Sequence, residues 1–150
     1  MATNNLTIPV SDLRPTSMNR ILVIADDGAL RKVLCRIFSS VGYEVDVVPA
    51  NLVDLDMLCQ RPPSAVIIDL PYADSLGGDL CRKIANLIPG LPILILSASS
   101  DAADKVLPLA MGAGDCLSIP FSPWDLVDRL RALMRRSAVK RFHGTFFGAP

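Results

Sequence analysis

Short aliphatic runs alternate along this chain with segments whose apolar residues recur at helical spacing. Ile21–Ala25 is an unbroken apolar run of strand length. Leu30, Val33, Leu34, Ile37, Phe38 and Val41 then fall on one helical stripe, and Gly42 follows as a stop signal. Val45–Val48 predicts a second, poorer strand. Leu52, Leu55, Leu58 and Cys59 mark a second helix, closed by Pro62 and Pro63. Ala65–Ile68 predicts a third strand. Leu80, Ile84, Leu87 and Ile88 mark a third helix, and Ile93–Leu96 a fourth strand. A fourth helical segment spans Ala102–Met111, where Pro108 removes a backbone donor and predicts a kink or an early end. Cys116–Ile119 is a weak fifth strand. The last helix has the best local signals: Ser122 as N-cap, Pro123 at the first helical position and Asp125 at the capping-box place. Its apolar face is Leu126, Val127, Leu130, Leu133 and Met134.

Five strand–helix units in series predict a parallel sheet with helices on both faces, an α/β doubly wound fold. Strands one, three and four are aliphatic throughout, as a sheet covered on both faces requires. Residues 19–137 form the expected domain. Residues 1–18 read as a flexible N-terminal extension, and 138–150 as a C-terminal tail or linker. A chain of 150 residues suits one core. Zero formal net charge gives no global field to recruit nucleic acid or membrane. The four cysteines, Cys35, Cys59, Cys81 and Cys116, form no closely spaced pair. They are expected as reduced core thiols of a cytoplasmic protein. No apolar run approaches membrane-spanning length.

Candidate chemistry lies at the strand ends. Strand one runs into Asp26 and Asp27, strand three into Asp69, and strand four into Ser97. In open α/β sheets, ligands bind beyond the carboxyl ends of the strands, where the strand order reverses. Two carboxylates there can hold a hard cation such as Mg²⁺. A carboxylate can also attack phosphorus to give an aspartyl phosphate, with a neighbouring hydroxyl bonding a phosphoryl oxygen. Each residue alone has a commonplace explanation, since Asp and Ser often follow strands as turn and cap residues. Asp26, Asp69 and Ser97 together, on three strands with this spacing, favour a site, although periodicity alone does not fix the strand order. No glycine-rich phosphate loop and no His or Cys placed for catalysis point to a small-molecule enzyme.

The stretches Arg20-Ile-Leu-Val-Ile-Ala-Asp-Asp-Gly-Ala-Leu-Arg31, Ala65-Val-Ile-Ile-Asp-Leu70, Leu91-Pro-Ile-Leu-Ile-Leu-Ser-Ala98, Met111-Gly-Ala-Gly-Asp115 and Pro120-Phe-Ser-Pro123 resemble, in order, the response-regulator receiver family. The resemblance covers roughly Arg20 to Arg136. It implies a flavodoxin-like receiver fold with strand order 2-1-3-4-5, which makes Asp26 and Asp69 neighbours. It implies Asp69 as phospho-acceptor, Ser97 as switch hydroxyl, and Asp26, Asp69 and the Pro71 backbone carbonyl as Mg²⁺ ligands. It also implies a cis Ile119–Pro120 bond and a histidine kinase, phosphotransfer protein or downstream signalling protein as partner.

Three positions depart from the family pattern. Ala25 replaces the first member of the acidic pair ending strand one, Ile119 the lysine before the strand-five proline, and Cys116 the aromatic switch residue. Ile119 is expected to pack as a core residue. The family proline after the acceptor is displaced, with Ala73 in its place and Pro71 nearer Asp69. Mg²⁺ is therefore expected to bind weakly. The expected function is an atypical receiver of a two-component phosphorelay, working mainly by protein–protein contact, with weak or absent phosphorylation at Asp69. The alternatives are a working aspartyl-phosphate acceptor, or the regulatory half of a transcription factor. Lys105, Asp115, Asp125 and Arg129 match a charge set through which receivers of the winged-helix class dimerise, so a homodimer is expected there. Direct nucleic-acid binding is not expected, since no helix-turn-helix fits after Arg136. The cluster Phe142, Phe146 and Phe147 can dock on the domain, dock on a partner, or begin a further domain.

Overall fold

The computed structural model describes residues 20–70, 76–98, 109 and 112–147; within these, the side chains of residues 70, 76–78 and 138–147 are left aside. Five parallel strands make one sheet: β1 (Arg20–Ile24), β2 (Glu44–Val48), β3 (Ala65–Leu70), β4 (Ile93–Ser97) and β5 (Asp115–Ser118). Their order is β2-β1-β3-β4-β5. This is the doubly wound, flavodoxin-like arrangement expected from the sequence. The helices are α1 (Gly28–Ser40), α2 (Leu55–Gln60), α3 (Leu76–Leu87) and a C-terminal helix, α4 (Pro123–Phe147). The expected helix over residues 102–111 lies outside the described residues, apart from Leu109, which is helical. Lys105, Pro108, Pro71, Ala73 and the extension 1–18 lie outside them too.

The strand alternation sorts the core into two layers. On one face Ile21, Val23, Ala25, Ala65, Ile67, Leu94, Leu96 and Leu117 meet Leu34 and Phe38 of α1 and Leu126, Val127, Leu130 and Leu133 of α4. On the other, Ile24, Val66, Ile68, Ile93, Ile95 and Cys116 meet Leu58 of α2 and Leu80, Cys81 and Ile84 of α3. Each fully buried aliphatic side chain of this kind contributes about 1.5–3 kcal/mol. The edge strand β2 has no fully buried residue, which accounts for its poorer sequence signal.

Local caps set the helix limits. Asp27 starts α1, its Oδ1 accepting from the N–H groups of Ala29 at 2.8 Å and Leu30 at 3.3 Å. Gly42, at φ +97°, takes the chain out of α1 in a conformation that side chains resist. The Ser122 hydroxyl faces the Asp125 N–H at 3.5 Å, at the long limit of a capping bond, and the Ser122 carbonyl accepts from Leu126 N–H at 3.0 Å.

The second helix differs from expectation. Asp54 caps a new start at Leu55, accepting from Met57 N–H at 3.1 Å, so Leu52 falls in a separate 3-10 turn, Ala50–Leu52. Leu52 is 66% exposed rather than part of a buried stripe. Cys59 is exposed and Cys35 half-buried, which corrects the reading of all four thiols as core; only Cys81 and Cys116 are buried. Cys59 lies on the outer side of a helix too short to bury more than Leu58. α4 continues unbroken through residues 138–147, the first part of the expected tail.

Candidate functional site

The register brings the strand-end residues together. Ile24 of β1 pairs with Ile68 of β3, so the next step sets Ala25 beside Asp69 and Asp26 just above. On the other side Asp69 pairs with Leu96, Leu70 with Ser97, and Ser97 with Ser118. Asp26 is exposed, and its Oδ1 accepts from Ala50 N–H at 3.1 Å, tying the acidic end of β1 to the turn after β2. Ser97 is buried at the end of β4, and its carbonyl accepts from Ile119 N–H at 2.8 Å.

Asp69 is half-buried, and its carboxyl is pushed above the ordinary Asp range. Burial is the main cause, followed by repulsion from Asp27 and then Asp26. Asp27 was not among the expected site residues. Its field at Asp69 ranks ahead of that of Asp26, while its carboxylate also caps α1. The adjacent pair Asp26-Asp27, at a strand end just before a helix, was the available signal.

A family model for the response regulator receiver domain matches residues 21–131. The chain belongs to the response-regulator receiver family. This receiver is 37% identical over 126 residues to the transcriptional regulatory protein GltR of Pseudomonas aeruginosa, a match covering 83% of the chain and 52% of GltR. It is 34% identical over 122 residues to the transcriptional regulatory protein CreB of Escherichia coli, covering 81% of the chain and 52% of CreB. The chain thus spans about half the length of these curated relatives. Among solved structures, a putative response regulator from Chloroflexus aurantiacus superposes with TM-score 0.70 at 29% identity, over 78% of this chain and 98% of that one. The BeF3-activated N-terminal receiver domain of Klebsiella pneumoniae RstA gives TM-score 0.70 at 25% identity, over 78% of this chain and 99% of that one.

Of the receiver's departures, Ala25 and Cys116 are buried and Ile119 is partly buried. Ala25 is 2% exposed and belongs to the layer shared with α1 and α4. Ile119 packs on the same layer, as expected of an uncharged side chain there. Cys116 is buried in the opposite layer. Around Asp69, then, one carboxylate and one ammonium have given way to apolar atoms. The Ile119–Pro120 bond is cis.

The fit to Mg²⁺ is partial. Asp69 and Asp26 supply anionic oxygens, and the raised Asp69 carboxyl marks negative charge that a cation would relieve. Against this, one Asp26 oxygen is held by Ala50 N–H and the Asp27 carboxylate by α1. No three His, Cys, Asp or Glu side chains converge as a metal cage among the described residues. The expected third ligand, the Pro71 carbonyl, lies outside them.

Three of the four expected dimer charges, Asp115, Asp125 and Arg129, form a cluster within one chain, while Lys105 lies outside the described residues. Arg129 donates to Asp125 from Nε at 3.0 Å, and from Nη1 to both Asp115 oxygens at 3.2 Å. The hydrogen bond to Asp125 is the main cause holding the guanidinium pKa above its ordinary value. Trp124, on the first turn of α4, is 74% exposed.

Proposed function

We propose that this receiver acts in two-component signalling chiefly by protein–protein contact, with Asp69 a poor phospho-acceptor and Mg²⁺ weakly held. The carrying observation is the setting of Asp69: a carboxyl with a raised pKa, acidic neighbours, and Ala25 and Ile119 where the family places charge. Phosphoryl transfer rests on positioning and on neutralising the charge of the transferred oxygens. A bound Mg²⁺ would supply part of that neutralisation, held by Asp26, Asp69 and the Pro71 carbonyl. Asp69 would attack phosphorus as the bond to the donor's leaving group breaks, the imidazole of a phosphohistidine or the acetate of acetyl phosphate, and the Ser97 hydroxyl would donate a hydrogen bond to a phosphoryl oxygen. Without the lysine, the remaining charge on those oxygens has no side-chain partner at position 119. A charge-assisted contact is worth about 1.5–3 kcal/mol, so its loss slows the step roughly ten- to hundredfold.

The chain is read as a non-enzymatic, cytoplasmic signalling module. Its partners are a histidine kinase or phosphotransfer protein, or a downstream signalling protein. Intact-mass spectrometry after incubation with acetyl phosphate and Mg²⁺ tests the reading. We expect little or no phosphoryl adduct, and none in Asp69→Ala. Rapid stoichiometric uptake would refute it and favour the working phospho-acceptor.

A second reading has its own support. The matched relatives GltR and CreB are named transcriptional regulatory proteins, and this chain corresponds to about half of each. It would then be the regulatory half of a transcription regulator, dimerising through the face that carries Lys105, Asp115, Asp125 and Arg129. The complete reading frame around the chain decides this.

A further inference from the structure

The short α2 leaves part of the sheet uncovered. It has six residues, and Asp54 delays its start until after the 3-10 turn. A cleft of about 350 Å³ lies between this segment and the β1–β2 surface. Leu22 and Val48 lie on its floor side, while Leu52, Met57, Leu58 and Pro63 belong to the segment that flanks it. Its size lies at the lower end of the range for small-molecule sites. Leu52 and Met57 stand 66% and 57% exposed on this flank, two large apolar side chains left open beside one cleft among the described residues.

Two arginines give this apolar cleft a charged end. Arg20 opens β1 and is only 9% exposed. Its Nη1 donates to Asp46 at 3.1 Å, and its Nη2 donates to the Arg61 carbonyl. A guanidinium carries five N–H donors, and of these the Nε–H of Arg20 is buried with no partner among the described residues. An unmet buried donor on a cation is costly, and an acceptor oxygen beside it recovers that cost. Arg61 also lines the cleft, is exposed, and makes no side-chain ion pair among the described residues. Of the two carboxylates present, Asp46 already pairs with Arg20 and Asp54 caps α2. The Arg61 guanidinium is thus the one charged group of this lining with no side-chain or capping partner among the described residues.

We infer that this cleft is a binding site for a small carboxylic acid with an apolar body, the carboxylate bonded by Arg20 and Arg61 and the body covered by Leu52 and Met57. The site is separate from the acidic end of the sheet, yet one short turn joins them. Leu52 flanks the cleft, and Ala50, two residues earlier in that turn, holds Asp26. Occupancy that reorders the turn is felt at the acidic site, and by linkage the reverse holds as well.

The test uses the full 150-residue chain. 3-Phenylpropanoate and its uncharged partner 3-phenylpropanamide are titrated in parallel and followed by ¹H–¹⁵N NMR, including the arginine side-chain Nε–H signals. The acid should shift the Arg20 Nε–H together with the amides of Asp46, Val48, Ala50 and Met57. It should bind at least tenfold more tightly than the amide. Arg61→Gln, at an exposed position, and Leu52→Glu, at the rim, should each weaken the acid about tenfold or more while the thermal unfolding midpoint stays within a few degrees. Three outcomes overturn the inference: no saturable shifts at millimolar acid, shifts scattered over the surface, or equal binding of acid and amide in all three proteins.

Discussion

Two groups of carboxylates in this molecule have opposite fates. Asp115 and Asp125 lie either side of Arg129, which bonds both at 3.0–3.2 Å. Asp69 lies with Asp26 and Asp27 at the ends of β3 and β1, and the position that would supply an ammonium carries Ile119. In the first group the guanidinium pKa rises, chiefly through its bond to Asp125, because the protein holds the charged form. In the second a carboxyl pKa rises, because burial and like charge disfavour ionisation. The first arrangement is complete within one chain. The second has no compensating cation among the described residues, and that imbalance is what the altered receiver site retains.

The sharpest way to break the comparison is to give the second group its cation. Ile119→Lys should raise phosphate uptake from acetyl phosphate roughly ten- to hundredfold, since it restores a charge-assisted contact worth about 1.5–3 kcal/mol. Adding Ala25→Asp should raise it further. Both changes place charge in a packed apolar layer, so the double variant should also unfold at lower temperature. Uptake rates by intact-mass spectrometry and melting by circular dichroism check the two halves. Unchanged uptake in a folded double variant would mean that something other than these two positions limits Asp69.

Metal affinity should follow the same logic on a smaller scale. With Ala25 in place of a carboxylate, Mg²⁺ keeps more of its water and should saturate only in the millimolar range. Ala25→Asp should lower the midpoint about tenfold. NMR titration of the Asp26 and Asp69 amides measures both, and submillimolar saturation of the natural sequence would overturn the expectation.

Most of the architecture was legible because aliphatic continuity and helical spacing report burial directly. Ile93–Leu96 reads as a strand and is buried at every residue. The C-terminal helix begins at Pro123 as its cap signals predict. The failures have local causes. Leu52 has the spacing of a helix stripe, but Asp54 competes for the start and wins through its side-chain bond to Met57. Leu87 has the same spacing in α3 and still ends 49% exposed. At the site, Asp26, Asp69 and Ser97 were legible as polar ends of apolar strands. The charge of Asp27 at Asp69 was not, since spacing along the chain does not carry distances between strands. Nor did the sequence show that Arg129 would take both of its acids within one chain, because a charge pattern alone does not separate contacts within a chain from contacts between chains.

Acidity offers a subtler probe of the crowded group. The folded-state pKa of Asp69 is raised, so over the window from 3.8 up to that value the native state binds more protons than the unfolded state. Stability then falls with rising pH through that window and stays reduced above it. Asp69→Asn removes the titration. It should therefore be more stable than the parent at pH 7, with the gap closing as the pH drops below the ordinary Asp value. Mg²⁺ at millimolar concentration should narrow the gap at pH 7 by stabilising only the parent. Urea unfolding at several pH values measures this, and a gap independent of pH would place the effect in packing rather than in charge.

The smallest expected effect concerns the balanced group. Arg129 is 41% exposed at its side chain, so its two ion pairs are largely solvated and each contributes about 0–1 kcal/mol. Arg129→Gln should lower stability by about 1 kcal/mol or less, and salt should erase part of the difference through screening. The same residue tests assembly. A two-fold dimer would need Arg129 to exchange its own Asp115 for Asp115 of the partner subunit, and the gain from that exchange is small because the contact already exists within the chain. Charge reversal separates the cases: Arg129→Asp sets a third carboxylate against Asp115 and Asp125 whether or not a dimer forms, but it changes sedimentation only if one does. The proposed dimer requires a sedimentation coefficient at micromolar concentration that falls in Arg129→Asp. An unchanged coefficient, with stability lowered in the same sample, would confine Arg129 to bracing β5 against the C-terminal helix.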